Sequence, residues 1–230
     1  MKSSTTAKLS MAAVAAFGTV SALVNDVHAA VVINEIYGGG GFAVNGTLPA
    51  SAFNRDFVEL FNNGTEAVNI SGYVFRYGSA ASTSVGPTLV GTLGGTIADG
   101  TILPVGGSFL IAGGSATNTN GATLPVINLS TAVDLSGTSG RVALFASTSA
   151  TEAIDFVGYG SATAFETAPA TGFAGTNASG VTSLNRTGGL DTNNNLTDFT
   201  FAAPTPPVPE PASLGLAAAA GALLIGRRRR

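Results

Sequence analysis

Three carboxylates fall close together early in the chain: Glu35, Asp56 and Glu59. Two such groups set across a sugar bond are what a glycosidase requires. Carboxylates on strands also hydrogen-bond loops or pair with arginine, so the trio carries both readings. Glu59 lies in Asp56-Phe57-Val58-Glu59-Leu60-Phe61, where alternation puts it on the face of Phe57 and Phe61, opposite Val58 and Leu60. A carboxylate beside two phenylalanines sits at a sheet margin or takes a donor, and Arg55 or Arg76 is the expected partner. A second oxygen-rich stretch runs from Asp191 to Asp198 and spaces Asp191, Asn193, Asn195 and Asp198 as ligands for Ca2+, which takes about six to eight hard oxygens. It lacks the glycine and the closing glutamate of an EF-hand loop, and an Asx-turn loop capping its own backbone is the competing reading. Glycines 38–41 could cradle a phosphate, but no Gly-Lys-Ser/Thr follows them, so a loop is expected there.

Composition removes most other chemistry. The 230 residues include no cysteine, no tryptophan and one histidine, His28. Disulfides, iron–sulfur clusters, thiolate zinc sites and multi-histidine metal sites are excluded. No cofactor is expected beyond the calcium reading. Between residues 30 and 207 four arginines and no lysine face eleven acidic residues, a net charge of −7. A nucleic-acid interface needs clustered cations against phosphates, so no nucleic-acid partner is expected.

The elements that must position these groups read as β. Strands are expected at 31–37, 56–61, 67–77 (bent at Ser71-Gly72), 88–92, 107–112, 141–146, 153–159, 181–185 and 198–202. Clusters of Gly, Asn, Ser and Thr separate them, and no stretch of this region sustains an apolar period of 3.6. Residues 78–88 and 113–126 read as polar, low-complexity insertions. Many short strands with turn signals predict an all-β, antiparallel sandwich or barrel.

The two ends differ from this body. Lys2 and Lys8, a mostly apolar run from Leu9 to Val24, and Val27-His28-Ala29 follow the order of a secretory signal over 1–29, with cleavage between Ala29 and Ala30. Cleavage there would remove the only histidine, and with it any Ser-His or Cys-His pair. Near the other end, Pro204 to Pro211 form a stiff linker, residues 212–226 carry no charge, and Arg227, Arg228, Arg229 and Arg230 follow. Fifteen helical residues span ~22 Å, less than a ~30 Å hydrocarbon core. Long arginine side chains reaching the headgroups lower the mismatch, and positive charge holds that side in the cytoplasm. The expectation is a transmembrane helix over 212–226 with a cytoplasmic arginine cluster at 227–230 and the body on the far side.

Val208-Pro209-Glu210-Pro211, an apolar helix and an arginine cluster, in that order, resemble a PEP-CTERM protein-sorting signal. The resemblance implies a Gram-negative bacterium that makes extracellular polysaccharide. It also implies an exosortase-type membrane enzyme that recognises Pro209-Glu210-Pro211 and processes the tail. The body has its own resemblance, carried by Val32-Ile33-Asn34-Glu35-Ile36, Asp56 to Asn62, Val68-Asn69-Ile70-Ser71-Gly72-Tyr73, Gly106 to Ile111, Arg141 to Phe145 and Ala153 to Gly160. These pieces look like a lamin-tail domain over residues 31–160, running on to 203, with Tyr73 where that family often has Trp. The resemblance implies an immunoglobulin-like β-sandwich, here residues 30–203. The linker with its sorting motif then occupies 204–211.

The resulting expectation is an exported, non-enzymatic surface or matrix protein. It is held first in the inner membrane with its body in the periplasm, then passed to the envelope or the extracellular polysaccharide. The alternative is a carbohydrate- or protein-binding module using exposed Tyr37, Tyr77 and Tyr159 beside polar loops.

Overall fold

The computed structural model describes residues 30–43, 50–81, 92–172 and 180–208. The signal segment with Ala29, the motif residues Pro209, Glu210 and Pro211, the apolar segment 212–226, the cluster 227–230 and most of the strand expected at 88–92 lie outside the described residues.

The β expectation holds. The strands are β1 (Val31–Tyr37), β2 (Phe57–Asn62), β3 (Val68–Asn69), β4 (Val74–Ser79), β5 (Thr92–Thr96), β6 (Ile102–Leu103), β7 (Ser108–Ala112), β8 (Leu129–Ser130), β9 (Gly140–Phe145), β10 (Ala153–Tyr159), β11 (Ser183–Arg186) and β12 (Phe199–Ala202). One 3-10 turn, Thr187–Gly189, and one short helix, α1 (Asn195–Asp198), interrupt them. The bend at Ser71-Gly72 divides β3 from β4, with Gly72 at φ +77 as the turn requires. The insertion expected from residue 78 starts later, because β4 runs on through Ser79.

Two main sheets form, ordered β12-β11-β1-β2-β7-β8 and β10-β9-β4-β5, with β3-β6 as a small third. All pairs are antiparallel except β7 with β8, so the larger sheet departs from the all-antiparallel expectation at one edge. Alternation chooses the buried face. Ile33, Ile36, Val58, Leu60 and Ile111 of the larger sheet meet Phe75, Val142, Leu144 and Val157 of the smaller in one core. The opposite face of the larger sheet is covered too. Tyr37, Phe57, Leu110 and Ala112 pack with Leu124 and Phe53, whose segments are bridged at Phe53 and Ala122. The polar stretch 113–126 thus closes over the outside of the sheet through Leu124. Burial on two sides explains why nearly every residue of β1 and β2 is apolar or firmly partnered.

Glycines 38–41 serve packing. A Cβ on Gly40 would collide with the backbone of Arg55 and Asp56, and one on Gly38 would stand 2.7 Å from the Ser136 carbonyl oxygen. The Gly40 N–H donates to Asp56 Oδ1 at 2.8 Å, so the run is held by the body's own carboxylate.

Leu60 is fully buried at the centre of β2, whereas Leu196 of α1 is half exposed. Urea denaturation of Leu60→Ala should show a loss of about 2–5 kcal/mol, while Leu196→Ala should stay within about 0.5 kcal/mol of the parent.

Candidate functional site

The strongest concentration of charge lies where β1 and β10 meet. β1 slips register between Ile33 and Glu35 against β2, and β10 slips between Ala153 and Asp155 against β9. A bulge leaves backbone groups without ladder partners. Here Ile33 N–H donates to Asp155 Oδ2 at 2.6 Å, and Ile33 C=O accepts from Arg186 Nε at 2.8 Å. Arg186 closes the ring with a two-pronged contact to Asp155, at 2.7 and 2.9 Å. Its other terminal nitrogen reaches Asp198 at 3.1 Å and Asp191 at 3.2 Å, and the Phe199 ring lies 4.6 Å beneath the guanidinium. The Arg186 and Asp155 side chains are wholly enclosed.

Glu166 comes up beside this ring from the loop after β10. Its carboxylate accepts from Asn195 Nδ2 at 2.8 Å, and its N–H donates to Asn195 Oδ1. Asn195 also accepts from Gly158 N–H and donates to Phe156 C=O, joining α1 to β10. One oxygen each from Asp155, Glu166 and Asp191 lie within 4.8 Å of one another. Four carboxylates therefore face one guanidinium. Burial pushes Glu166 up to about 8, helped by Asp155 and Asp191, and pushes Asp155 up to about 6 against the pull of Arg186 and the Ile33 N–H.

The oxygens expected to gather around calcium do not gather. Asp191 and Asp198 turn inward onto Arg186, Asn195 is buried as a bridge between α1 and β10, and Asn193 is exposed at φ +53. The Asx-turn reading fits: Asn193 N–H and Thr192 N–H are capped by Asp191 and Asp198. The three carboxylates whose oxygens lie within 4.8 Å of one another share only Asp191 with that loop. Three acidic oxygens offer a cation a foothold, fewer than the about six to eight that calcium takes.

Of the early trio, Glu35 and Glu59 are cross-strand partners in β1 and β2, while Asp56 stands apart just before β2. Glu35 is fully enclosed and its oxygens take Ser183 and Thr205; burial raises its pKa. Glu59 accepts from Ser108 at 2.5 Å and from Asn34, and burial again raises its pKa, with Glu35 adding to the rise. The expected arginine partners are elsewhere. Arg55 donates to the carbonyls of Ala112, Gly113, Gly114 and Thr131, and Arg76 donates to Thr148 and lies over Phe145. Asp56 accepts from Gly40 and Leu135 N–H groups and is raised to about 7 by burial. Neither glutamate reaches solvent as a sugar acid must.

Two of the three tyrosines expected at a binding face, Tyr37 and Tyr159, offer no stacking surface, while Tyr77 is half-buried. Tyr37 and Tyr159 are fully buried with hydroxyls donating to Gly180 and Ser136 carbonyls, and the Tyr77 hydroxyl accepts from Ser136 N–H.

Sequence reasoning missed Arg186, Asp155 and Glu166 as a unit. A signal was present: Asp155 interrupts Ile154 and Phe156 within an apolar strand, and only four bases lie between residues 30 and 207 to answer the buried acids.

Among the described residues, two packed sheets with a single short helix make a β-sandwich, consistent with the immunoglobulin-like kind. The Lamin Tail Domain family model matches residues 26–161, more than half of the chain, and the chain belongs to that family. The crystal structure of a DUF4876 family protein from Bacteroides thetaiotaomicron VPI-5482 has a similar fold, with a TM-score of 0.53 and 13% identity over 79% of this chain and 75% of that one. No curated protein matches the chain. The family match ends at residue 161, so β11 and β12, and Arg186 with them, stand beyond it.

Removing Arg186 strands buried carboxylates. Arg186→Met should cost about 3–5 kcal/mol in urea denaturation. The raised acids give a pH dependence of fixed sign. From their ordinary values of 3.8 and 4.5 up to about 8, the folded chain keeps protons that the unfolded chain has released. Stability therefore falls as pH rises from 4.5 to 8 and levels off above. The urea midpoint should drop across that window in the parent and drop less in Glu166→Gln. A parent midpoint that is flat or rising would contradict the assignment.

Proposed function

We propose that this chain is an exported, non-enzymatic surface or matrix protein of a Gram-negative bacterium, sorted through a PEP-CTERM pathway. The observation that carries the reading is the order of parts after the last strand. β12 ends at Ala202, and the proline linker, Pro209-Glu210-Pro211, an uncharged stretch and four arginines follow without interruption. In this reading the segment 1–29 directs export and is cut at Ala29, and residues 212–226 stop in the inner membrane with the arginines in the cytoplasm. An exosortase-type enzyme then acts at the motif and releases the body to the envelope or the polysaccharide. Among the described residues no helix is long and apolar enough to cross a membrane, and the segment 212–226 lies outside them.

The body suits such a role. Its best-placed carboxylates, Glu35, Asp56, Glu59 and Asp155, all hold their own backbone or side chains. The binding-module alternative loses two of its three tyrosines, since Tyr37 and Tyr159 are interior, and keeps the half-buried Tyr77.

Fractionation of cells expressing the full chain should place the body in the envelope or the matrix, and deletion of residues 208–230 should leave it in the periplasm or the medium. Loss of the host exosortase should trap the full chain in the inner membrane. Identical fractions for all three would refute the sorting reading.

A further inference from the structure

The chain does not leave the body at the end of β12. That strand is the edge of the larger sheet, with β11 and then β1 inside it. Three residues later Thr205 is at Glu35 on β1, so the chain has turned back across β11, a distance of about two strand spacings or ~10 Å. Ile33 and Ile36 face the core, and Glu35 points to the opposite, outer side. There Thr205 N–H donates to Glu35 Oε1 at 2.9 Å and Thr205 Oγ1 donates to Oε2 at 3.1 Å. Ser183 of the neighbouring β11 donates to Oε1 at 2.6 Å. Pro206, the next residue, is buried, whereas Val208 is 70% exposed. Residues 203–207 therefore form a strap across the sheet, pinned at one glutamate and one proline.

We propose that Glu35 is a clasp which docks the start of the linker onto the sheet and so fixes the point at which the remainder leaves the body. Pro206 and Ala212 are only six residue steps apart, a reach of ~19 Å in an extended proline-rich chain. If the strap were loose from Ala202, ten residue steps would lead from the body to Ala212 and the reach would be ~31 Å. The clasp shortens the tether by roughly two-fifths and keeps the linker-bearing side of the larger sheet toward whatever holds residues 212–226. That last step rests on reading those residues as a membrane anchor; the clasp itself does not.

The chain has no cysteine, so Glu66→Cys and Val208→Cys introduce a unique pair for spin labels at two exposed positions. In the full chain in detergent, the label-to-label distance should be a single narrow distribution. Thr205→Pro deletes both the N–H and the hydroxyl, and should shift that distribution or widen it at least about two-fold. Glu35→Ala should do the same wherever its unfolding transition shows it folded, and Thr205→Pro decides the matter alone if it does not fold. A broad distribution in the parent, or an unchanged one in Thr205→Pro, overturns the clasp. The fractionation experiment reads sorting and the distance reads the strap, so either can fail while the other stands.

Discussion

The fold hangs on how two bulged strands are joined. At Ile33 the ladder of β1 opens, and both backbone groups of that one residue are taken by the two halves of an ion pair, Asp155 from the smaller sheet and Arg186 from the larger. Neither partner alone serves. Asp155 without Arg186 is an enclosed charge, and Arg186 without Asp155 leaves Ile33 N–H with no acceptor. An enclosed ion pair contributes little net stability compared with apolar side chains of the same volume. In the observed register of β1, β10 and β11 all four groups lie within 2.8 Å of their partners, and a register that parted them would leave charge uncompensated. The bulges and the ion pair are one device, with apolar packing on either side of it.

The same logic orders the periphery. Asp191, Asp198 and Asn195 belong to a short connection between β11 and β12, and each reaches back to Arg186 or β10. Glu166 ties the loop after β10 into this connection. The segment past the Lamin Tail Domain match thus supplies the cation for an acid within it.

Much of the fold was legible in the residues. The β-branched run 31–37 and the stretches 56–61 and 141–146 located β1, β2 and β9, and alternation in β2 separated Val58 and Leu60, which sit in the core, from Phe57, Glu59 and Phe61. Two-residue strands such as β6 and β8 carry no period, and the parallel partner of β7 depends on a distant loop. The site was less legible. Spacing says which oxygens share a loop, not what stands opposite them, and Arg186, five residues before Asp191, turns a cation-shaped pattern inward. Arg55 beside Asp56 and Glu59 suggested a pair, yet its side chain rivets carbonyls at the end of β7. Proximity along a strand puts neighbours on alternate faces, so sequence adjacency is a poor guide to ion pairing.

The placement of the arginines has a further effect. The body contains no lysine, and Arg55, Arg141 and Arg186 are buried while Arg76 is half-buried in β4 over Phe145. Trypsin-like enzymes need an exposed basic residue in a chain loose enough to enter their active sites. Each basic residue of this body is held in or beside a strand, so digestion of that kind must wait for local or global unfolding.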